Sequence, residues 1–133
     1  MKLKYFKTPT PKYKKYNVSE LISFLGKAKK SREKVPILIN LSLLNQSDYP
    51  SELLSCLLQE VVNKINTRTR EFGTLTVSMI AAIAIIQLDI DAAPDLRKAI
   101  YKNWPTEQIN DFSYILKSEG FDVECWFGNP NKL

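Results

Sequence analysis

Lysine and aromatic residues are interleaved along the first sixteen residues of the chain, MKLKYFKTPTPKYKKY. The stretch contains six lysines and no acidic residue. Ammonium groups neutralise the phosphates of a nucleic acid, and aromatic rings stack on its bases with about 1–3 kcal/mol for each base. The pattern therefore predicts contact with an anionic partner, with nucleic acid as the first candidate. The residues predicted to make this contact are Lys2, Lys4, Tyr5, Lys7, Lys12, Tyr13, Lys14, Lys15 and Tyr16.

A basic stretch of this kind also has structural interpretations. It can be a disordered, solvated tail, or an edge strand whose lysines prevent aggregation. Residues 2–6 alternate like a short strand. Pro9 and Pro11 favour an extended arm, because proline restricts its own backbone and that of the preceding residue. We therefore predict a basic N-terminal arm over residues 1–16 and a single globular domain over residues 17–133.

A second basic cluster ends the first predicted helix. It consists of Lys27, Lys29, Lys30, Arg32 and Lys34. Cations at a helix C-terminus stabilise the helix dipole, so part of the cluster has a structural explanation. However, residues 1–34 hold 11 basic and 2 acidic residues, a net charge of +9, whereas residues 35–133 hold 8 basic and 12 acidic residues, a net charge of −4. This asymmetry makes the cluster a second predicted contact region.

The basic residues are mostly lysine, which accounts for 15 of the 19. A lysine ammonium is a point charge that suits attraction to a nucleic-acid backbone more than reading of base edges. We therefore predict binding with low sequence specificity.

Three aspartates, Asp89, Asp91 and Asp95, stand close together in QLDIDAAPDL. Two carboxylates that are two residues apart share a face of an extended backbone, where their oxygens can hold Mg²⁺. Acids just before and inside a helix start also supply an N-cap and stabilise the helix dipole, and we favour this structural interpretation. Asp89 and Asp91 are thus weak candidates for a metal, and we predict neither a metal site nor a cofactor.

The chain has no histidine, which removes the usual general base near neutral pH and the commonest metal ligand. It contains no P-loop, zinc-ligand spacing, nucleophile elbow or dinucleotide-binding fingerprint. Cys56 and Cys125 are expected to be inert, buried thiols in a reducing cytoplasm, and the N-terminus lacks the apolar core of a signal peptide. We predict a small, non-enzymatic, cytoplasmic binding protein.

Four aromatic residues in the C-terminal half, Tyr101, Trp104, Tyr114 and Trp126, have two interpretations. They can mark an exposed recognition surface, since aromatic residues are enriched at interface hot spots. They can equally be ordinary core and boundary residues. The residue pattern does not separate these interpretations.

Hydrophobic periodicity predicts five helices and two strands. The helices cover residues 17–34, 52–65, 74–88, 93–104 and 106–120, and the strands cover residues 35–44 and 121–127. Asn17 and Glu20 have capping-box spacing, and Gly120 stands where a left-handed C-cap belongs. The predicted fold is α/β or α+β, with a small two- to three-stranded mixed sheet, including the weak strand at residues 2–6, covered by four or five helices.

Residues 74–88 are apolar on nearly every side of the predicted helix. The run is shorter than the roughly twenty residues of a membrane span, so we predict no membrane segment. It must be covered by its own domain or by a partner subunit. The second possibility leads to an alternative function, a protein-interaction or assembly module, either a homo-oligomer or an adaptor, whose basic arm docks on an acidic protein surface. The richness of the chain in Lys, Asn and Ile is typical of an AT-rich genome, such as that of a bacterium or a phage.

Overall fold

The structure of the protein, a computed structural model, describes residues 3–45, 49–72 and 75–124. The elements in these ranges are, in chain order, a 3-10 helix (Pro11–Tyr13), α1 (Val18–Lys27), α2 (Ser31–Ser42), α3 (Ser51–Val62), β1 (Arg70–Phe72), β2 (Leu75–Thr76), α4 (Val77–Leu88), α5 (Ala93–Asn103) and α6 (Thr106–Ser118). Six α-helices therefore dominate the described part of the chain. Its only paired strands are the short antiparallel hairpin of β1 and β2, in which Arg70 is opposite Thr76.

The predicted sheet covered by helices is wrong, because the protein is mostly helical. The largest error is the strand predicted at residues 35–44, most of which lies in α2. This run is buried on nearly every side, and a short apolar run does not by itself distinguish a buried strand from a buried helix. α2 even contains Pro36, a residue that usually ends or kinks a helix, so packing against α4 outweighs this local preference.

The other two predicted strands are also wrong in their described parts. The segment predicted as a strand at residues 2–6 pairs with no strand among the described residues. In the segment predicted at residues 121–127, alternate side chains are buried as expected, but Val123 and Glu124 are helical. The residues that follow them lie outside the described part of the chain. Both segments bury apolar side chains in the helical core rather than pairing in a sheet.

The helix predicted over residues 17–34 is two helices joined by a short connection. Its predicted capping box is confirmed: the Glu20 N–H donates to Asn17 Oδ1 (2.9 Å), and the Asn17 N–H donates to Glu20 Oε1 (3.1 Å). α1 ends where Ala28 adopts an extended backbone, with ψ of 128°, and α2 begins at Ser31. The second basic cluster therefore surrounds a connection between two helices.

α4 is the centre of the core. Every residue from Val77 to Leu88 is buried, and the helix packs against α2 and α3. The helix predicted at residues 74–88 is thus confirmed from residue 77 onward, and its cover comes from its own chain. The Met79 N–H donates to the Thr76 hydroxyl (3.2 Å), which caps the buried N-terminus of α4. Among the described residues, no helix combines the length and the apolar character that crossing a membrane requires.

α5 and α6 cover a further side of the core. The Trp104 indole N–H, just after α5, donates to the Val61 carbonyl oxygen at the end of α3 (2.8 Å). Gly120 has a φ of +76°, and the Phe121 N–H donates to the Leu116 carbonyl oxygen (3.1 Å). The left-handed C-cap predicted at Gly120 is therefore confirmed.

Candidate anion-binding surface

Two buried amide side chains dock the N-terminal arm on the helices. The Phe6 N–H donates to Gln87 Oε1 (2.9 Å), and Gln87 Nε2 donates back to the Phe6 carbonyl oxygen (2.7 Å). Asn40 pairs with Thr10 in the same way: the Thr10 N–H donates to Oδ1 (2.8 Å), and Nδ2 donates to the Thr10 carbonyl oxygen (3.2 Å). Each amide supplies the donor and the acceptor that a neighbouring strand would offer, so the arm satisfies these main-chain groups without joining a sheet.

Apolar side chains anchor both ends of the described arm. Leu3 is 3% exposed and Tyr13 is 9% exposed. The ring centroids of Tyr13 and Tyr16 lie 5.7 Å and 4.8 Å from that of Phe24 in α1. The arm is therefore packed on the domain, and it is neither a solvated tail nor a paired edge strand.

The arm runs antiparallel to α2. Gln87 Nε2 is within hydrogen-bonding distance of the carbonyl oxygens of both Phe6 (2.7 Å) and Ser42 (3.3 Å), so Phe6 lies at the C-terminal end of α2. Thr10 lies nearer the start of α2, where its hydroxyl oxygen is 3.3 Å from the Pro36 carbonyl oxygen. The 3-10 helix that follows Thr10 also packs against α2.

This geometry brings the two predicted basic regions together. Lys12 lies in the 3-10 helix and Lys14 and Lys15 follow it, and this helix packs against α2, whose first turn carries Arg32. Lys27 follows Phe24, the residue on which the arm tyrosines pack, by about one helical turn of ~5.4 Å. The charge asymmetry of the sequence thus becomes a lysine-rich surface formed by the arm, the end of α1 and the start of α2.

We name this region the basic surface and define it by nine exposed cations. They are Lys4, Lys7, Lys12, Lys14, Lys15, Lys27, Lys29, Lys30 and Arg32. Within the ranges that the structure describes, none of the nine forms an ion pair. Their charges therefore remain open to an external anion. Lys2, the remaining predicted lysine of the arm, lies outside the described residues.

The arm tyrosines that were predicted to stack on bases are engaged within the protein. Tyr13 is buried, whereas Tyr5 and Tyr16 are half-buried. Tyr5 packs edge to face on Phe6, with ring centroids 5.1 Å apart. Burial raises the pKa of the Tyr5 phenol, and the Glu119 carboxylate raises it further, so this phenol stays neutral. The structure therefore gathers the predicted charges but offers little of the predicted stacking area.

Lys34 does not belong to the basic surface, although the sequence predicted it there. The residue is 8% exposed, and its Nζ lies 2.7 Å from Glu60 Oε1 and 3.5 Å from Asn66 Oδ1. Asn66 Nδ2 also donates to Glu60 Oε1 (3.3 Å), so a buried ion pair links α2, α3 and the loop after α3. Lys34, Leu38 and Leu41 share one face of α2, so a helical interpretation of this segment would have placed Lys34 toward the core.

The aspartates considered for a metal lie between α4 and α5. Asp89 is the C-cap of α4 in the left-handed region, with φ of 60°, a conformation in which aspartate is enriched. Asp89 and Asp91 are exposed, and no group of three or more His, Cys, Asp or Glu residues in the described ranges is placed to hold a metal ion. The expected N-cap is wrong, because Ala92 precedes α5 without a side-chain cap, whereas Asp95 does lie in the first turn of α5.

Cys56 is half-buried on α3 rather than fully buried as expected. Burial raises the pKa of its thiol, and the carboxylates of Glu52 and Glu60 raise it further. The thiolate is the nucleophilic form of cysteine, so a raised pKa makes this sulfur poorly reactive at neutral pH. Cys125 lies outside the described residues.

The aromatic residues of the C-terminal half lie at different depths. Trp104 is a core residue whose ring packs edge to face on Phe112, with centroids 5.2 Å apart. Tyr101 is half-buried and Tyr114 is 75% exposed on α6. Trp126 lies outside the described residues. Trp104 is therefore a core residue, whereas Tyr114 is exposed and a role for it in recognition stays a prediction.

Sequence reasoning did not identify Asn40 and Gln87, the residues that position the basic surface. Both are polar residues within apolar runs, PILINLSLL and IAIIQL. A polar side chain at a buried position needs a hydrogen-bond partner, so each of them indicated a polar group nearby. Their partners, Thr10 and Phe6, lie 30 and 81 residues away, and no local pattern identifies them.

The basic surface suits electrostatic attraction. Eight of its nine cations are lysines, which attract phosphates or carboxylates as point charges and lack the planar fork that reads base edges. The docked arm, α1 and α2 hold the main-chain segments that carry these charges in place relative to one another. No protein-family model matches this chain, and no curated protein or solved structure is significantly similar to it.

Proposed function

We propose that this protein is a non-enzymatic binding protein that holds a nucleic acid by its phosphate backbone, with low sequence specificity, on the basic surface. One observation carries the proposal: the arm docks antiparallel to α2, and Tyr13 and Tyr16 pack on Phe24, which brings the basic segment around the 3-10 helix to the part of α1 that ends at Lys27. We further propose a cytoplasmic location, which fits the free thiol of Cys56.

Counterion release supplies the affinity in this proposal. Each lysine that neutralises a phosphate releases a condensed counterion, so the affinity falls steeply as salt rises. A surface that binds about six to ten phosphates loses about 10³ to 10⁵ in affinity between about 50 and 200 mM salt. The nine exposed cations fall within this range. Because the attraction is to the backbone, oligonucleotides of different sequence should bind about equally well.

Fluorescence anisotropy of labelled DNA and RNA oligonucleotides, titrated with the protein at low and moderate salt, tests the proposal. The test variant carries Lys12→Gln, Lys14→Gln and Lys15→Gln. A matched control variant removes the same charge from exposed lysines of α5 and α6, and it carries Lys98→Gln, Lys102→Gln and Lys117→Gln.

The test variant should bind more weakly, and the magnitude of its salt slope should fall by about 0.9 for each phosphate that it no longer neutralises. The control variant should bind like the original protein. A binding curve that does not change with salt, or equal losses of affinity in both variants, would contradict the proposal.

The alternative function, a protein-interaction module, no longer includes assembly through the apolar helix α4. α4 is buried by its own chain, so residues 77–88 offer no surface to a second subunit. The version that remains is docking of the basic surface on an acidic protein surface, either in a homo-oligomer or as an adaptor. Light scattering at micromolar concentration tests self-association. A protein that binds no oligonucleotide at low salt but forms oligomers that dissociate with salt would favour this alternative.

A further inference from the structure

We infer that the nucleic acid held by the basic surface is double-stranded, an inference that rests on the proposed function. Proteins that prefer single strands combine a basic groove with exposed aromatic rings, because stacking contributes about 1–3 kcal/mol for each base. Three features of the basic surface point instead to a duplex: the burial of its aromatic rings, the length of the helix on which the arm docks, and the chemistry of its cations.

The aromatic rings of the arm pack against other rings of the protein. Tyr13 is buried, and both Tyr13 and Tyr16 pack on Phe24. Tyr5 packs on Phe6. None of the aromatic side chains in residues 3–45 is strongly exposed, and the strongly exposed Tyr114 lies on α6 and not on the basic surface. A single strand would therefore find charges here but little aromatic area on which to stack its bases.

The arm is fixed along one helix of known length. Gln87 holds Phe6 at the C-terminal end of α2, and Asn40 and the Pro36 carbonyl oxygen hold Thr10 toward the middle of the helix. α2 has 12 residues, which corresponds to about 18 Å at about 1.5 Å for each residue. One turn of a DNA duplex measures about 34 Å, so the basic surface spans about half a turn and fits one side of a duplex without wrapping.

The cations match the regular phosphate array of a duplex. A duplex carries one negative charge for about every 1.7 Å of its axis, twice the density of either strand. A partner whose phosphates are dense and already ordered loses little conformational freedom when it binds these cations, whereas a flexible single strand must lose more. Lysine is a point charge that suits contact with phosphates more than reading of base edges, so these cations attract the backbone of a duplex with little preference for its sequence.

The experiment compares a labelled duplex of about two helical turns with each of its separated strands, using the full-length protein at about 50 and 200 mM salt. A second set of single strands carries 2-aminopurine, a base whose fluorescence responds to stacking. We expect the duplex to bind several-fold more tightly than either strand and independently of its sequence. Its salt slope should be about −0.9 for each neutralised phosphate, against about −0.7 for single strands, and the 2-aminopurine emission should not change on binding.

Two results would overturn the inference, and they differ in what they mean for the proposed function. Equal or tighter binding of the single strands, with a change in 2-aminopurine emission, leaves nucleic-acid binding in place but shows that bases stack on the protein. Absence of binding to both duplex and single strands at low salt removes the proposed function together with the inference. The triple variant of Lys12, Lys14 and Lys15 must also weaken duplex binding, which ties the preference to the basic surface.

Discussion

The side-chain amide of Gln87 pairs with both the N–H and the carbonyl oxygen of Phe6, 81 residues away in the sequence. The same Nε2 lies 3.3 Å from the Ser42 carbonyl oxygen at the end of α2. One buried amide therefore holds three segments together: the N-terminal arm, α2 and α4. The arm, and with it the basic surface, depends on this junction.

Replacing Gln87 with leucine should destabilise the protein by about 1–3 kcal/mol, because the substitution leaves the part-buried main-chain groups of Phe6 without their partners. Urea unfolding followed by circular dichroism measures the change, and amide exchange at Phe6 should become faster. Gln59→Leu is the matched control, since Gln59 is exposed on α3, and it should change the free energy of unfolding by less than about 0.5 kcal/mol. Similar losses of stability in the two variants would argue against the junction.

Replacing Asn40 with leucine should weaken nucleic-acid binding as well as stability. The substitution removes the two main-chain hydrogen bonds at Thr10, so the 3-10 helix and its lysines lose their fixed position beside α2. We expect the magnitude of the salt slope to fall by about 1 for each phosphate that the displaced lysines no longer reach. The control is Asn110→Leu, at an exposed position on α6. Amide hydrogen exchange at Thr10 shows whether the arm has come off α2 in the Asn40→Leu variant. If this exchange is fast and the salt slope of binding is nevertheless unchanged, docking of the arm does not assemble the binding surface.

Replacing only one partner of the Lys34–Glu60 ion pair should strongly destabilise the protein, whereas replacing both partners together should destabilise it much less. Lys34→Met leaves the buried Glu60 carboxylate without its cation, a change that costs about 3–5 kcal/mol in comparable buried pairs. Adding Glu60→Gln removes the uncompensated charge and keeps an acceptor for Asn66, so the double variant should recover most of the loss. A double-mutant cycle in urea gives both values. If the double variant is as unstable as Lys34→Met alone, the packing of the lysine stem matters more than its charge.

Two neighbouring hydroxyl groups at the start of α4 should contribute differently to the stability of the protein. Thr76 accepts a hydrogen bond from the Met79 N–H, so Thr76→Ala should destabilise the protein by about 0.5–2 kcal/mol. The Ser78 hydroxyl is buried and has no hydrogen-bond partner among the described residues, so Ser78→Ala should be neutral or slightly stabilising. Thermal unfolding of the two variants, measured side by side, tests the contrast. A large loss of stability for Ser78→Ala would reveal a partner for its hydroxyl.

The Cys56 thiol should react slowly with a thiol reagent, and its rate should rise only at alkaline pH. Burial and the carboxylates of Glu52 and Glu60 raise its pKa, so at any given pH the folded protein holds less thiolate than the unfolded chain. The measurement uses a Cys125→Ser variant, in which Cys56 is the only cysteine. The midpoint of the pH–rate curve should lie above that of the same protein in denaturant, and Glu52→Gln should lower it. A midpoint below that of the unfolded chain would contradict a raised pKa of the Cys56 thiol in the folded protein.

Local features of the fold were predictable because their physical causes lie within a few residues. The Asn17–Glu20 capping box and the Gly120 C-cap each depend on hydrogen bonds between neighbours in sequence, and both are present at the predicted positions. The helix at residues 77–88 was predictable from its composition, as was its need for cover. The uneven distribution of charge, which supports the proposed function, is likewise a property of the sequence alone.

Only the tertiary structure decided the state of residues 35–44, the burial of Lys34 and the position of the arm. A short apolar run satisfies its main chain equally well in a strand or in a helix, and packing of α2 on α4 selects the helix. Lys34 is buried because that helix turns it toward Glu60. The arm is docked because Asn40 and Gln87 bind main-chain groups that lie 30 and 81 residues away. Such hydrogen bonds form only when the chain is folded, so they cannot be predicted from local sequence patterns.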